Sequence, residues 1–171
     1  AAFIDRDGTL VEEVNFLSKV EDLQLFPFTA EAVNLLKQNG FWIVVVTNQS
    51  GIGRRIYSEA EMRSIHDEKQ RQLDGGIDAF YFCPHMPNVG CRCRKPALGM
   101  IEDAVSELNI ELKGSWMIGD KKTDVETGLN AGISSALVLT GYGAKHLASL
   151  ERQPEVVATD LLDAVKRIIQ D

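Results

Sequence analysis

Two aspartates separated by one residue stand at the start of the chain, in Asp5-Arg6-Asp7-Gly8-Thr9, directly after the apolar pair Phe3-Ile4. Alternate residues leaving a strand point the same way, so both carboxylates can face one pocket. Held about 4 Å apart, they repel by roughly 4 kcal/mol at an effective dielectric of 20. Such a pair calls for a cation, a shared proton or diverging side chains. Asp120 and Asp124, in Gly119-Asp120-Lys121-Lys122-Thr123-Asp124, offer further hard oxygen ligands after another apolar run. Carboxylates with carbonyl oxygens suit Mg²⁺, which keeps several waters and leaves room for a substrate phosphate. A plain turn at Asp5 and Asp7 and a helix cap at Asp124 are the competing readings. Average residue usage puts a chance Asp-x-Asp-Gly-Thr in a chain this long on the order of a few per thousand.

Positive charge clusters beside these acids. Arg6, Arg54, Arg55, Arg94, Lys95, Lys121 and Lys122 all fall within or just after motifs that follow apolar runs, which predicts a local anion site. For Arg55 and Lys122, ordinary surface solvation is an equal alternative. Thr47, Asn48 and Ser50 offer hydroxyl, amide and backbone donors to phosphate oxygens, with Gly51 and Gly53 permitting close approach. A second constellation, Cys83-Pro84-His85 followed by Cys91-Arg92-Cys93, places three thiols and one imidazole in a short loop. A disulfide framework spreads its cysteines, whereas Cys₃His in one loop makes a closed tetrahedral Zn²⁺ site, structural because no position stays open. Its last ligand immediately precedes Arg94 and Lys95, so zinc would fix the approach of both side chains.

The elements that must position these groups alternate. Apolar segments at Phe3-Ile4, Phe41–Val46, Ala79–Phe82, Trp116–Ile118, Ala136–Leu139 and Val156-Val157 read as strands. Between them, helices are predicted over Thr29–Gln38 with Thr29 as N-cap and Gly40 as stop, and over Ser58–Leu73 with a Ser58/Glu61 capping box. Further helices are predicted over Gly99–Leu108, Thr123–Ala131 and Leu161–Ile169. Gly141-Tyr142-Gly143 reads as a turn. Strands alternating with helices of this length imply an α/β, three-layer, doubly wound and mostly parallel sheet, with ligands bound at the carboxyl ends of the strands. The 171 residues fit one domain spanning 1–171. Trp42 and Trp116 are expected in the core and His66 in solvent; His146, after the Gly141-Tyr142-Gly143 turn, is within reach of the site but is expected to be a structural side chain.

Charge narrows the partners. Eighteen Lys and Arg against 25 Asp and Glu give −7, which argues against duplex nucleic acid or an anionic membrane as main partner. The longest apolar run is too short to span a bilayer. With clustered thiols and no recognisable leader, a cytoplasmic monomer acting on a small molecule is the expectation.

Asp5-x-Asp7-Gly8-Thr9, an apolar strand ending in Thr47, then Lys95, and Gly119-Asp120-x-x-x-Asp124 resemble, in order and over nearly the whole chain, the four motifs of haloacid dehalogenase superfamily phosphatases. That resemblance implies a Rossmann-like fold, with Asp5 as nucleophile forming an aspartyl phosphate and Asp7 as general acid and base. It implies Mg²⁺ on Asp5, the Asp7 carbonyl and Asp120, with Thr47 and Lys95 steadying the phosphoryl group. The segments from Asp7 to Thr47 and from Thr47 to Lys95 leave no room for the cap domain many members carry. Cys83-Pro-His85, Cys91-x-Cys93-Arg94-Lys95-Pro96 and Thr47-Asn-Gln-Ser-Gly-Ile-Gly-Arg54 are similar to the branch acting on D-glycero-D-manno-heptose 1,7-bisphosphate in heptose precursor synthesis for lipopolysaccharide or other heptosides. That branch releases the C7 phosphate. The similarity implies zinc on Cys83, His85, Cys91 and Cys93, and a sugar site lined by Glu13, Val14, Asn15, Phe16, Asn48, Gln49, Ser50, Arg94 and Lys121, with Arg94 reading the remaining phosphate. Phe28 and Arg55 stand where that branch usually has glycine. Histidinol-phosphate phosphatases share the zinc loop but usually carry Asp where this chain has Ser50. Polynucleotide 3′-phosphatases share Thr-Asn-Gln-x-Gly-Ile but lack the loop. A non-enzymatic zinc module would leave every acidic motif incidental.

Overall fold

Strands buried on both faces need apolar residues at every position rather than at alternate ones, and Ile43-Val44-Val45-Val46 and Trp116-Met117-Ile118 satisfy that. In the structure, a computed structural model that describes residues 1–170, these runs lie at the centre of a six-stranded sheet. Its strands are β1 (Ala2–Ile4), β2 (Ile43–Asn48), β3 (Ala79–Cys83), β4 (Trp116–Gly119), β5 (Ser134–Val138) and β6 (Val156–Ala158). They are ordered β3-β2-β1-β4-β5-β6, and every pairing is parallel. The chain winds outward from β1 to β3, then returns to place β4 on the other side of β1. The reversal of winding direction therefore falls between β1 and β4, where ligand crevices of such sheets open. Ile4 is in register with Val45 and Ile118, and the Asp5 N–H donates to the Ile118 carbonyl at 2.9 Å. Asp5, Thr47 and Asp120 thus leave the sheet at one edge.

The helices are α1 (Thr29–Gln38), α2 (Ser50–Gly53), α3 (Glu59–Gln72), α4 (Gly99–Leu108), α5 (Lys122–Ala131), α6 (Gly143–Leu147) and α7 (Leu161–Ile168). Ala2, Ile4, Ile43, Val45 and Ile118 point to one face of the sheet. There they pack with Val33 and Leu36 of α1, Ile65 of α3, and Leu161 and Val165 of α7. Phe3, Val44, Val46 and Met117 point to the other face, against Met100, Ile101 and Ala104 of α4. This period-two division is what a doubly covered sheet requires. Helix α5 lies close on the second face because Gly128 presents no side chain; a Cβ there would come within 2.9 Å of the Ser135 Cβ. After β1 the chain adds a short 3₁₀ turn and α1, and after β2 it adds α2 and α3, before each returns to the sheet.

The Ser58/Glu61 capping box forms as expected, with the Ser58 N–H donating to Glu61 at 2.7 Å and the Glu61 N–H donating to the Ser58 hydroxyl at 3.2 Å. Four expectations change. Thr29 is the first residue of α1 rather than its cap, and its buried hydroxyl donates to the Leu10 carbonyl at 2.7 Å, tying α1 to the loop after β1. Trp42 precedes β2, which starts where Asp78 accepts the Ile43 N–H, and its indole is 45% exposed. The Gly141-Tyr142-Gly143 turn continues into the short helix α6. His66 is buried, its ring stacked on Phe80 with centroids 4.6 Å apart. Burial, and then the cationic neighbours Lys69 and Arg6, push its pKa down to about 2, so the ring is neutral.

One turn after His66, Lys69 is fully buried, with its Nζ 4.7 Å from the Phe80 ring centroid and no hydrogen-bond partner among the described residues. Burial holds its pKa well below the lysine range. A lysine whose folded-state pKa is depressed destabilises the fold below its ordinary pKa, and the cost shrinks as pH rises towards that value. Lys69→Met, which keeps the shape and removes the amine, is expected to raise stability at pH 7 by about 1–4 kcal/mol. The gain in melting temperature should narrow towards pH 10. Thermal denaturation of both proteins at pH 7 and pH 10 checks this; a loss of stability at pH 7 contradicts it.

Candidate active site

The loop leaving β1 turns sharply at Gly8, whose φ of 82° lies in the left-handed region and whose missing side chain makes room for the Asp120 carboxyl. Asp5 and Asp7 are thereby brought beside the end of β4. Asp5, Asp7, Thr47, Arg94, Lys95 and Lys121 line one cavity of about 240 Å³, together with Asn48, Thr123 and His146. A second cavity of about 140 Å³ shares Asp7, Asn48 and Lys121, and is walled by Glu13, Val14, Asn15 and Phe16 on one side and by Gln49 and Ser50 on the other. Every catalytic and sugar-site residue expected from sequence therefore borders one of two adjoining cavities. Phe16 holds φ at 56°, an uncommon conformation for a bulky residue and one that tends to occur at functional walls.

Lys95 is the electrostatic centre. Its Nζ lies 2.9 Å from Asp5 Oδ1 and 2.6 Å from Asp124 Oδ1, and all three residues are buried. Asn48 grips the Lys95 backbone from β2: Nδ2 donates to the Lys95 carbonyl at 3.2 Å, and Oδ1 accepts the Lys95 N–H at 3.0 Å. Asp124 uses its other oxygen to accept the Lys121 N–H at 2.9 Å at the start of α5. It is a helix cap, as one of the two readings had it, and a partner of Lys95, which neither reading included. Burial alone would raise the Asp5 pKa, but Lys95 and then Lys121 outweigh it and hold the carboxyl at about 2. Asp5 is ionised at any ordinary pH.

Asp7 is held differently. Arg6 reaches it with Nε at 3.1 Å from each oxygen and Nη2 at 2.9 Å, while Gln49 Nε2 donates at 3.0 Å. Gln49 also donates to Thr47 Oγ1 at 2.8 Å and accepts from Arg6 Nη2 at 3.0 Å and the Tyr57 hydroxyl at 2.5 Å. Arg6 is 1% exposed, so it is turned inward as the clamp of Asp7 rather than outward as part of an anion site. The other bases also divide. Arg54 and Arg55 are exposed, Arg54 lying 5.9 Å over the Phe16 ring, and Lys122 pairs with Glu126 and Glu151. Arg94, Lys95 and Lys121 are the ones that face the cavity. Arg55 has φ 57°, which explains why glycine suits that position. Gly51 accommodates the Tyr57 ring and Gly53 the Pro84 carbonyl, so these glycines serve packing rather than phosphate approach.

The oxygen cluster fits a hard divalent cation. Carboxylate oxygens of Asp5, Asp120 and Asp124 lie within 4.8 Å of one another. The Lys121 ammonium sits 3.2 Å from Asp120 Oδ1, 3.3 Å from the Asp7 carbonyl, 3.4 Å from Glu13 and 3.5 Å from Asp5 Oδ2. Five acids (Asp5, Asp7, Glu13, Asp120 and Asp124) thus surround three cations (Arg6, Lys95 and Lys121), a shortfall of two positive charges. Asp120 carries the strain: burial, then the Asp5 carboxylate, push its pKa up to about 7. All available donors are oxygens, the set that Mg²⁺ prefers.

The thiol loop passes a similar test. Cys83 Sγ is 3.6 Å from both His85 Nδ1 and Cys91 Sγ; Cys93 Sγ is 3.2 Å from His85 Nδ1 and 3.5 Å from Cys91 Sγ. No pair is at disulfide distance. Ligand bonds of about 2.3 Å to sulfur and 2.0 Å to nitrogen in a tetrahedron imply edges of about 3.7 and 3.5 Å, close to those seen. The loop reaches the cavity through Arg94, whose Nη1 donates to the His85 carbonyl at 3.3 Å.

Sequence reasoning missed Tyr57 and Thr123, and for His146 it preferred a structural role over the approach to the site that the structure shows. Nothing local marks Tyr57, which enters because α2 turns the chain back onto Gly51. His146 reaches the cavity because the turn before it continues as helix.

Comparison with known proteins agrees with this geometry. Residues 92–164 match the HAD-hydrolase-like family. The D-glycero-D-manno-heptose-1,7-bisphosphate 7-phosphatase of Thermosynechococcus vestitus is 37% identical over 185 aligned positions, covering 98% of this chain and 94% of that one. The D-glycero-beta-D-manno-heptose-1,7-bisphosphate 7-phosphatase of Haemophilus ducreyi is 34% identical over 96% of each chain. The crystal structure of D,D-heptose 1,7-bisphosphate phosphatase from B. bronchiseptica, complexed with magnesium and phosphate, superposes with a TM-score of 0.91 at 34% identity, covering 98% of this chain and 97% of that one. With a parallel sheet that opens on this carboxylate cluster and identities of this order over nearly its whole length, the chain belongs to the D-glycero-D-manno-heptose-1,7-bisphosphate 7-phosphatase family of HAD-like hydrolases.

Proposed function

We propose that this chain, as one domain and a cytoplasmic monomer, hydrolyses the C7 phosphate of D-glycero-D-manno-heptose 1,7-bisphosphate, supplying heptose precursors for lipopolysaccharide or other heptosides. The observation that carries the reading is an ionised, buried Asp5 held by Lys95 in a cavity that also receives Asp7, Thr47 and Arg94. Asp5 attacks the C7 phosphorus; a bond forms from its carboxylate oxygen to phosphorus, and the bond from phosphorus to the sugar oxygen breaks. Asp7 gives its proton to that leaving oxygen. To do so it exchanges one of the donors from Arg6 or Gln49 for a proton, since a carboxyl oxygen that accepts on every side has none to give. In the second step the Asp7 carboxylate takes a proton from water, whose oxygen attacks phosphorus and releases phosphate from Asp5. Lys95 and Thr47 orient the phosphoryl oxygens, and Arg94 binds the retained phosphate.

Asp5, the Asp7 carbonyl and Asp120 would hold Mg²⁺, which would supply the positive charge the cluster lacks beside the phosphoryl oxygens. Asp124, with both oxygens engaged by Lys95 and the Lys121 N–H, positions Lys95. Cys83, His85, Cys91 and Cys93 would hold Zn²⁺, which would fix the loop that delivers Arg94. Among the described residues no helix is long and apolar enough to cross a membrane.

Parallel assays on the heptose bisphosphate, histidinol phosphate and a 3′-phosphorylated oligonucleotide test the substrate. A preference in kcat/KM of at least about a hundredfold for the heptose is expected, a range that hydrogen-bonded recognition readily supplies. Preference for either rival overturns the assignment.

A further inference from the structure

His146 is absent from the proposed chemistry yet lines the reaction cavity beside Arg94, Lys121 and Thr123. Its orientation is fixed by the backbone. The Lys122 N–H at the first turn of α5 donates to His146 Nδ1 at 2.9 Å, so Nδ1 is the acceptor and the ring proton of the neutral imidazole sits on Nε2. Burial, then Lys121 and Lys145, lower the pKa of the ring, which favours that neutral form. Among the described residues Nε2 makes no hydrogen bond, and neither does the Thr123 hydroxyl. Arg94 spends Nη1 on the His85 carbonyl and keeps Nε and Nη2 free. Arg94 and Thr123 also line a neighbouring cavity of about 520 Å³ along the Cys/His loop, which is bordered by Lys95 but by neither Asp5 nor Asp7, so this wall extends from the reaction cavity towards that loop. Three kinds of donor, one cationic and two neutral, therefore line one cavity, each with an N–H or O–H that has no acceptor among the described residues.

We propose that His146 Nε2–H and the Thr123 hydroxyl complete, with Arg94, a subsite for the second, untransferred phosphate of the substrate, and that His146 determines the preference for a bisphosphate over the corresponding monophosphate. This rests on the heptose bisphosphate reading above. A lone arginine gives a charged but loosely oriented anchor; a fixed imidazole N–H and a hydroxyl add directional donors to the remaining oxygens. The leaving phosphate at C7 is common to both substrates, so only the group at C1 reports on the subsite.

The test compares kcat/KM for heptose 1,7-bisphosphate and heptose 7-phosphate in the wild type, His146→Phe, His146→Gln and Thr123→Val. His146→Phe keeps a ring but no donor, whereas Gln can still accept from the Lys122 N–H and donate onward. The bisphosphate-to-monophosphate ratio is expected to fall about tenfold in His146→Phe, through KM, and a few-fold in Thr123→Val. His146→Gln should lie between wild type and His146→Phe; a tenfold ratio corresponds to about 1.4 kcal/mol. An unchanged ratio overturns the proposal, and so does an equal loss on both substrates, which is what a packing defect produces. A wild type without preference for the bisphosphate overturns the heptose bisphosphate reading and the subsite with it. A wild type that prefers it, with variants that keep that preference, removes the subsite alone.

Discussion

Asp5→Asn is expected to yield a folded protein whose kcat on its phosphorylated substrate has fallen by about four orders of magnitude or more, the scale seen when a nucleophile that acts within a catalytic unit is removed. The amide keeps the shape and can still accept the Arg6 N–H, which reaches Asp5 Oδ1 at 2.8 Å. What it loses is the charge that makes the oxygen a nucleophile. Lys95 keeps Asp124 as a partner at 2.6 Å, so no buried ammonium is left unpaired. One of three mutually repelling carboxylates disappears as well, which offsets part of the lost attraction to Lys95 and Lys121, so the variant should stay folded with a modest fall in melting temperature at pH 7. The pH dependence of stability gives a second check. A carboxyl held at about 2 contributes stability that is fully present above its ordinary pKa near 4 and is lost as pH falls through that interval. The variant should lack that part of the acid-side loss. Retention of more than about one percent of wild-type kcat would mean that another group attacks phosphorus.

Removing the loop metal should have the next largest effect. The four ligand atoms already sit near tetrahedral edges, and burial pushes the Cys83 thiol up to about 12. Without a cation the thiols differ: Cys83 stays neutral, while at Cys91 burial is outweighed by hydrogen bonds from the Arg94 backbone and the neighbouring thiols, which lower its pKa to about 6. With a cation all three would ligate as thiolates and the cluster would close. Purified protein is expected to contain one equivalent of zinc. Chelation under reducing conditions should cost at least about 3 kcal/mol, a fall of about 6–12 °C in melting temperature for a chain of this size. Activity should fall with it, because the freed loop carries Arg94 and the backbone that Asn48 grips beside Lys95. Cys91→Ser, at a partly exposed ligand, should reproduce the loss with little damage to the core, whereas Cys83 is buried at the end of β3. Amide exchange near Arg94 that is unchanged by chelation would contradict the scaffolding role.

Much of this architecture is legible before any coordinates, for identifiable reasons. Strands covered on both faces leave continuous apolar runs, so β2 and β4 stand out, and the residue after each run falls at the sheet edge where ligands bind. Asp5, Thr47 and Asp120 could be placed together on that logic alone. The Cys/His loop is equally plain because its four candidate ligands lie within eleven residues. The misreadings share another cause: they concern where a polar or amphipathic side chain turns, which depends on neighbours far away in the chain. Arg6 turns inward because Gln49 and Asp7 wait there. His66 and Lys69 lie in a helix whose sequence is polar, and only the Phe80 ring of β3 reveals that this face is buried. Trp42 follows an apolar neighbour, Phe41, yet lies one residue before the sheet pairing begins.

The central claim is that Asp5 becomes covalently phosphorylated. Rapid mixing of enzyme with substrate labelled at the C7 phosphate, quenching in acid within the first turnover, and peptide mapping test it directly. The account predicts label on the peptide carrying Asp5, released by hydroxylamine as an acyl phosphate is, and absent from Asp5→Asn. Turnover with label found only in free phosphate, at every quench time and in an enzyme stalled by Asp7→Asn, would show that water attacks phosphorus without a covalent intermediate.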